Sequence, residues 1–348
     1  MNGMPSLLMR YAPEATDAGL TARDQLLALS REPGLALAFE PLRSSNLRQK
    51  RNELNEPVDP IEVRLASVEV ESTAPELVIW DRLSEWDQGP RRRTLLIPDL
   101  SDGHWNDLAQ NCDEVLCTPG LAIEAGSRMV TPAVALDPDE TVTGIPTDRR
   151  MAYAHVQSGR DDLGLMALLD AWFRFPGLAE GVLVISTDSW HDSIRFRIRA
   201  ARGDALDHTV MIVNDTRPEL LDGLVLASDV VVCCHTMTTV GWRPIAMKAA
   251  LAGKPVISTR CGAIIDHISD CRWVDLPPVN MDGLTPRTLT GSSAEPPKMP
   301  VGDYRAIHGM LVSSFGEALG AWIDGGLNPA RMVQGPDPQL VSVVMEGM

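Results

Sequence analysis

A chain of 348 residues with 44% hydrophobic and 22% charged content is globular, and it is long enough for two domains rather than one core. Its net charge of −16 excludes a general nucleic-acid coat, because a phosphate-binding surface has to be positive. Six cysteines (Cys112, Cys117, Cys233, Cys234, Cys261 and Cys271) are too few for a disulfide scaffold in a chain this long, and no run of about 18 apolar residues is present to span a membrane.

The opening MNGMPSLLMRYAPE has no basic leader and no cleavage pattern, so a cytoplasmic protein without a secretion signal is expected. Within it, PSLLMRYAP predicts a strand and its exit loop. TARDQLLALSREPG then predicts a helix, with Leu26, Leu27 and Leu29 as its apolar face and Gly34 past its end. LALAFEPL follows as a strand, and residues 44–60 are polar. Short buried strands are expected at Glu76–Trp80, before Asp81, at Thr94–Pro98, before Asp99, and at Glu114–Cys117. Helices are expected over His104–Asn111 and from Pro119, and Ala133–Leu136 closes this half.

Residues 137–150, DPDETVTGIPTDRR, read as a linker. A second alternating series starts at Met151, with strands at Met151–Val156, Val182–Ser186, Thr209–Val213, Val230–Cys234 and Pro255–Ser258. Thr216 and Glu219 fit a capping box ahead of Leu220, Leu221 and Leu224. Pro244 suits the first turn of the next helix, and Gly253 its C-terminal cap. Pro277–Pro300 is a Pro/Gly/Ser/Thr-rich excursion, and a helix over Tyr304–Ile323 precedes the tail. Strands alternating with helices imply parallel sheets, whose ligands bind beyond the carboxyl ends of the strands.

Residues 151–270 resemble the nucleotide-binding half of retaining GT-B-fold glycosyltransferases, and residues 1–136 resemble the other half more loosely. The motifs that carry this are Gly164–Trp172, Val210–Val213, Ala249–Ser258 and Gly262–Asp266, with Trp105, Cys112–Val115 and Thr118-Pro119 in the first half. The resemblance implies two Rossmann-like domains facing each other across a cleft. The first, 1–140, would bind the acceptor, and the second, 151–300, a nucleotide-sugar donor. Residues 301–348 are expected to pack back on the first domain.

Two glutamates that the family carries eight positions apart fall on Val240 and Lys248 here, and its diphosphate-neutralising cations fall near Ser158 and Leu163. An ammonium cannot accept the hydroxyl bonds that a carboxylate takes from a ribose. Two readings stay open. In one, the donor site is rebuilt from Arg160, Met211, Val213, Thr238, Thr239, Gly241, Arg243, Lys248 and Asp266, with Lys248 or a nearby arginine meeting phosphate. In the other, the chain is a catalytically inactive partner subunit of the same fold. A third, an enzyme acting on modified DNA or another polyanion, follows only from Arg48-Gln49-Lys50-Arg51, Arg91–Arg93 and Arg195, Arg199 and Arg202.

Asp99, Asp102 and His104 follow a strand where the cleft would lie, and they are candidates to orient or deprotonate an acceptor hydroxyl. The alternative is an acidic loop in which Asp102 caps a helix. Gly19 and Thr21 offer either phosphate-binding N–H groups or a plain turn. Cys233-Cys234-His235 reads as core rather than metal, because adjacent strand residues face opposite ways. Trp242 stacks on a ligand or fills the core. No metal site and no cofactor are expected, and the acceptor (glycan, protein, small molecule or modified DNA) is open.

Overall fold

The computed structural model describes residues 6–11, 17–33, 35–41, 76–79, 93–97, 112–117, 128–137, 142, 144–145, 148–156, 162–187, 209–213, 217–235, 242–260, 264–275, 301–333 and 346. The first half holds β1 (Ser6–Tyr11), α1 (Asp17–Leu29), β2 (Ala36–Pro41), β3 (Glu76–Ile79), β4 (Arg93–Ile97), β5 (Glu114–Cys117) and β6 (Arg128–Met129). Its strands form one parallel sheet in the order β2-β1-β3-β4-β5-β6. Leu7, Met9, Leu77, Leu96 and Leu116 pack there against Ala22, Leu26 and Leu29 of α1.

The second half holds β7 (Arg150–Val156), α2 (Asp162–Arg174), β8 (Gly181–Thr187), β9 (Val210–Val213), α3 (Pro218–Ala227), β10 (Val230–Cys233), α4 (Pro244–Leu251), β11 (Val256–Thr259), α5 (Ile264–His267), β12 (Ile268–Ser269), β13 (Arg272–Val274), α6 (Val301–Ile323) and β14 (Arg331–Met332). The parallel sheet runs β13-β11-β10-β7-β8-β9. Counted from β7, that is the 3-2-1-4-5-6 order of a doubly wound dinucleotide-type sheet. The chain is thus α/β, with two Rossmann-like domains, the GT-B type of architecture expected from the sequence.

Helix punctuation is local and chemical. Pro244 opens α4, and Gly253 ends it at φ +66°. There Lys254 N–H donates to Ala249 O (2.9 Å) and Gly253 N–H to Ala250 O (3.1 Å), the paired bonds of a Schellman cap. Thr216 of the expected capping box lies outside the described residues. Arg217 is the N-cap of α3 with no side-chain cap hydrogen bond, and Glu219 accepts from Arg23 of the first domain at 2.6 Å.

The two faces of the second sheet differ. On one, α2 and α6 enclose Leu165, Leu168, Trp172, Leu311, Phe315 and Trp322. Trp172 and Trp322 meet at 6.4 Å between centroids, and Gly316 leaves room for the Phe175 ring, which an added Cβ would strike at 1.9 Å. The late helix therefore completes the second domain, which corrects its expected place against the first. Its apolar stripe at Leu311, Phe315, Ala318 and Trp322 matches the bare side of α2. Among the described residues of the tail, Glu346 approaches the exposed Arg128 of the first domain at 3.6 Å.

The other face carries α3 and α4, and it also takes in Leu20 of α1 and Val134 of the segment after β6. Helix α1 therefore serves both halves. Positions 22, 26 and 29 face its own sheet, while Leu20, Arg23 and Asp24 face the second domain. The segment after β6 is fastened to α1 by a two-way amide clasp: Gln25 Nε2 donates to Ala133 O (3.0 Å), and Ala133 N–H donates to Gln25 Oε1 (3.1 Å).

Candidate functional site

Two polar groupings lie on the α3/α4 side of the second sheet. One is a row at the carboxyl end of the strands. The register pairs Val213 with Ser186, Ser186 with His155, and Cys233 with Ser258. Extending the Val231–Tyr153 pairing of β10 and β7 brings Cys233 level with His155. Residues paired across parallel strands share a face, so Val213, Ser186, His155, Cys233 and Ser258 form one line. One step toward the amino ends, Val184 and Val231 are apolar and Tyr153 is the polar member. Ser186 Oγ lies 2.9 Å from Tyr153 Oη and 2.8 Å from His155 Nδ1, a buried chain of three hydrogen-bonding groups. Burial pushes the Tyr153 phenol well above its ordinary range, so it stays protonated.

The strand exits beside this row are also polar. His235 is buried just past β10, and its carbonyl accepts a hydrogen bond from Thr259 Oγ1 at the end of β11. Arg243 is buried at the entry of α4, its carbonyl accepting the first helical bond, from Met247 N–H at 3.0 Å. Trp242 is completely buried and meets His267 edge-on at 5.0 Å, so it fills the core. Cys233 and Cys234 fall into opposite cores, as strand alternation requires.

The second grouping is ionic and spans the two domains. Lys248 of α4 is fully buried. Its ammonium donates to Asp24 Oδ1 of α1 (2.7 Å), Asp222 Oδ1 of α3 (2.8 Å) and Ala135 O, just ahead of the linker (2.7 Å). An ammonium has three donors, and all three are used. Arg23 lies 2.6 Å from Glu219, 3.5 Å from Asp222 and 3.9 Å from Asp137. Asp222 Oδ2 also accepts from Asp137 N–H at 2.9 Å. Burial works to lower the Lys248 pKa, but Asp24 and Asp222 outweigh it and leave the group above its ordinary value. Burial raises Asp24 from 3.8 to about 7, with Lys248 opposing and Asp222 adding to the rise.

Among the expected donor residues, Met211 and Val213 of β9 are half-buried against the α3/α4 core, and Val213 ends the polar row. Arg243 sits at the carboxyl-end side of the sheet. Lys248 does not meet the expectation of a phosphate contact: it is inside the protein with every donor committed. The backbone of Asp266 lies in α5. Arg160, Thr238, Thr239, Gly241, Asp99, Asp102, His104 and Asp81 lie outside the described residues, as do the three arginine clusters apart from the backbone of Arg93. Gly19 and Thr21 are buried in the first turns of α1. His155, Ser186 and Ser258 were missed. Their signal was a polar residue at the same level, near the end of each apolar strand, in YAHV, VIST and again VIST.

No family model matches the chain, and no curated protein matches it. Among solved structures, HepE of Anabaena in complex with UDP superposes with a TM-score of 0.49 at 12% identity, over 99% of this chain and 100% of that one. A glycosyltransferase from Rickettsia africae ESF-5 gives 0.48 at 12%, over 94% and 95%. MnaA of S. aureus with UDP gives 0.49 at 11%, over 92% and 88%. Likenesses this distant carry no argument, and the architecture rests on strand order and register.

Proposed function

We propose that this chain is a glycosyltransferase, hexosyltransferase-like, that moves a sugar from a nucleotide-sugar donor to an acceptor without metal or cofactor. What supports this is the carboxyl edge of the second sheet. There Val213, at the strand end that the sequence resemblance assigns to the base, continues into Ser186 and His155, with Arg243 at the entry of the neighbouring helix. Such an edge suits a nucleotide. Hydroxyl and imidazole groups suit sugar or ribose hydroxyls, and Arg243 suits a departing diphosphate. In this reading catalysis is positioning plus stabilisation of the leaving group, with Asp99, Asp102 or His104 acting on the acceptor hydroxyl.

The test is a panel of UDP-, GDP-, ADP- and TDP-sugars, followed by free nucleotide and by thermal shift. At least one donor raises Tm and releases nucleotide. Arg243→Ala weakens that donor roughly tenfold to a hundredfold, the value of a charge-assisted hydrogen bond. A panel that shifts nothing sinks the reading.

One observation favours the alternative of an inactive partner subunit: Lys248 belongs to an internal ionic cluster rather than to the pocket mouth. Nucleotide binding without turnover in any acceptor mixture is the outcome that selects it.

A further inference from the structure

Among the described residues, the ionic cluster between the domains holds more carboxylates than cations: two cations, Arg23 and Lys248, meet four carboxylates, Asp24, Asp137, Glu219 and Asp222. All but Asp137 are buried. Surplus charge in a water-poor interior is costly, and binding a proton is the least expensive relief.

Geometry selects the carboxylate that takes it. Asp222 has both oxygens engaged, by Lys248 and by the Asp137 N–H. Glu219 holds Arg23 at 2.6 Å. Asp24 offers one oxygen to Lys248, while its Oδ2 is buried and accepts no hydrogen bond among the described residues. The charged or titratable groups around Asp24 are Arg23 on its own helix, Lys248 on α4, Asp222 and Glu219 on α3, Asp137 on the linker, and Tyr153 on β7 behind Asp222.

The position of the cluster gives it a mechanical role. Asp24 and Arg23 belong to the helix that packs on the first sheet, whereas Asp222, Glu219 and Lys248 belong to the two helices on the second sheet. The same seam holds Leu20, Val134 and the Gln25–Ala133 clasp. We propose that Arg23, Asp24, Glu219, Asp222 and Lys248 form a proton-sensitive latch between the two domains, closed when Asp24 is protonated and loosened when it ionises. The Asp24 pKa of about 7 puts that change near neutrality. The latch holds whatever ligand the carboxyl edge takes.

The experiment uses the full chain. Differential scanning calorimetry and small-angle scattering are run at about pH 5.5 and about pH 8.5, on either side of the Asp24 transition. Wild type unfolds in one transition at the lower pH. At the higher pH it splits into two, about 5 °C or more apart, and its radius of gyration grows. Asp24→Asn, which mimics the protonated acid, keeps one transition and one radius at both. Lys248→Met splits at both. If wild type and Asp24→Asn respond to pH in the same way, the latch is overturned. That comparison stands by itself if Lys248→Met fails to fold.

Discussion

The two faces of the second sheet are built on opposite principles. The α2/α6 face is apolar and closed by paired tryptophans. The α3/α4 face mixes an apolar floor with a hydroxyl–imidazole row and an ionic cluster that reaches into the other domain. On the first face a contact is worth the area and volume it fills, whatever the pH. On the second, a contact is worth what its partners leave uncompensated, so its value depends on charge state and on residues far away in sequence. Both faces contribute stability, but only on the second does that contribution depend on charge state.

The contrast is broken most strongly at Lys248. Lys248→Met leaves Asp24 and Asp222 buried without their cation and costs about 3–5 kcal/mol in urea denaturation. Trp322→Ala on the opposite face costs a similar amount, about 3–5 kcal/mol, through the cavity it leaves. The two separate by pH. The Trp322→Ala cost is flat between acid and neutral solution, whereas that of Lys248→Met grows as Asp24 ionises. Gly316→Ala drives a methyl into the Phe175 ring and costs about 1–3 kcal/mol by overpacking, again independently of pH. Ser186→Ala removes the hydroxyl that Tyr153 Oη and His155 Nδ1 share and costs about 1–3 kcal/mol. At the small end, the exposed Arg260–Asp275 pair contributes at most about 1 kcal/mol, so Arg260→Ala leaves the urea midpoint nearly unchanged.

The pH profile sharpens the same comparison. Asp24 has a folded pKa of about 7 against 3.8 as a free acid, so folding favours its protonated form. Its contribution is complete below the free-acid value and is lost as pH rises through the folded one. Stability measured between about pH 4 and about pH 7.5 therefore falls for wild type relative to Asp24→Asn. Parallel profiles would mean that another group carries the dependence.

What was legible in the sequence follows the same division. Pro244, Gly253 and the run Val230–Cys234 act through backbone geometry a few residues away, and each formed as expected. Lys248 was misassigned because its partner Asp24 lies 224 residues earlier, and no local pattern announces such a pairing. Glu219 shows a similar limit: its spacing from Thr216 suggests a local cap, and nothing near it in the sequence announces Arg23 of the other domain, 2.6 Å away. The late helix showed its apolar stripe, yet a stripe does not say which sheet will cover it. His155 and Ser186 were visible as polar residues in apolar strands, and only the register shows them to be neighbours.

The tie between the start of β7 and the end of α6 has a consequence in time. Arg150, at the start of β7, donates to the carbonyls of Trp322 and Ile323, which end the helix. A growing chain makes that strand first and its cover more than 170 residues later, a separation set by the Arg150–Trp322 bond. During synthesis Trp172 and its neighbours therefore wait uncovered, and the second domain cannot finish folding until the ribosome has passed residue 323. A chain truncated before Val301 keeps every strand of that sheet and α2, yet exposes to aggregation the apolar surface that α6 covers.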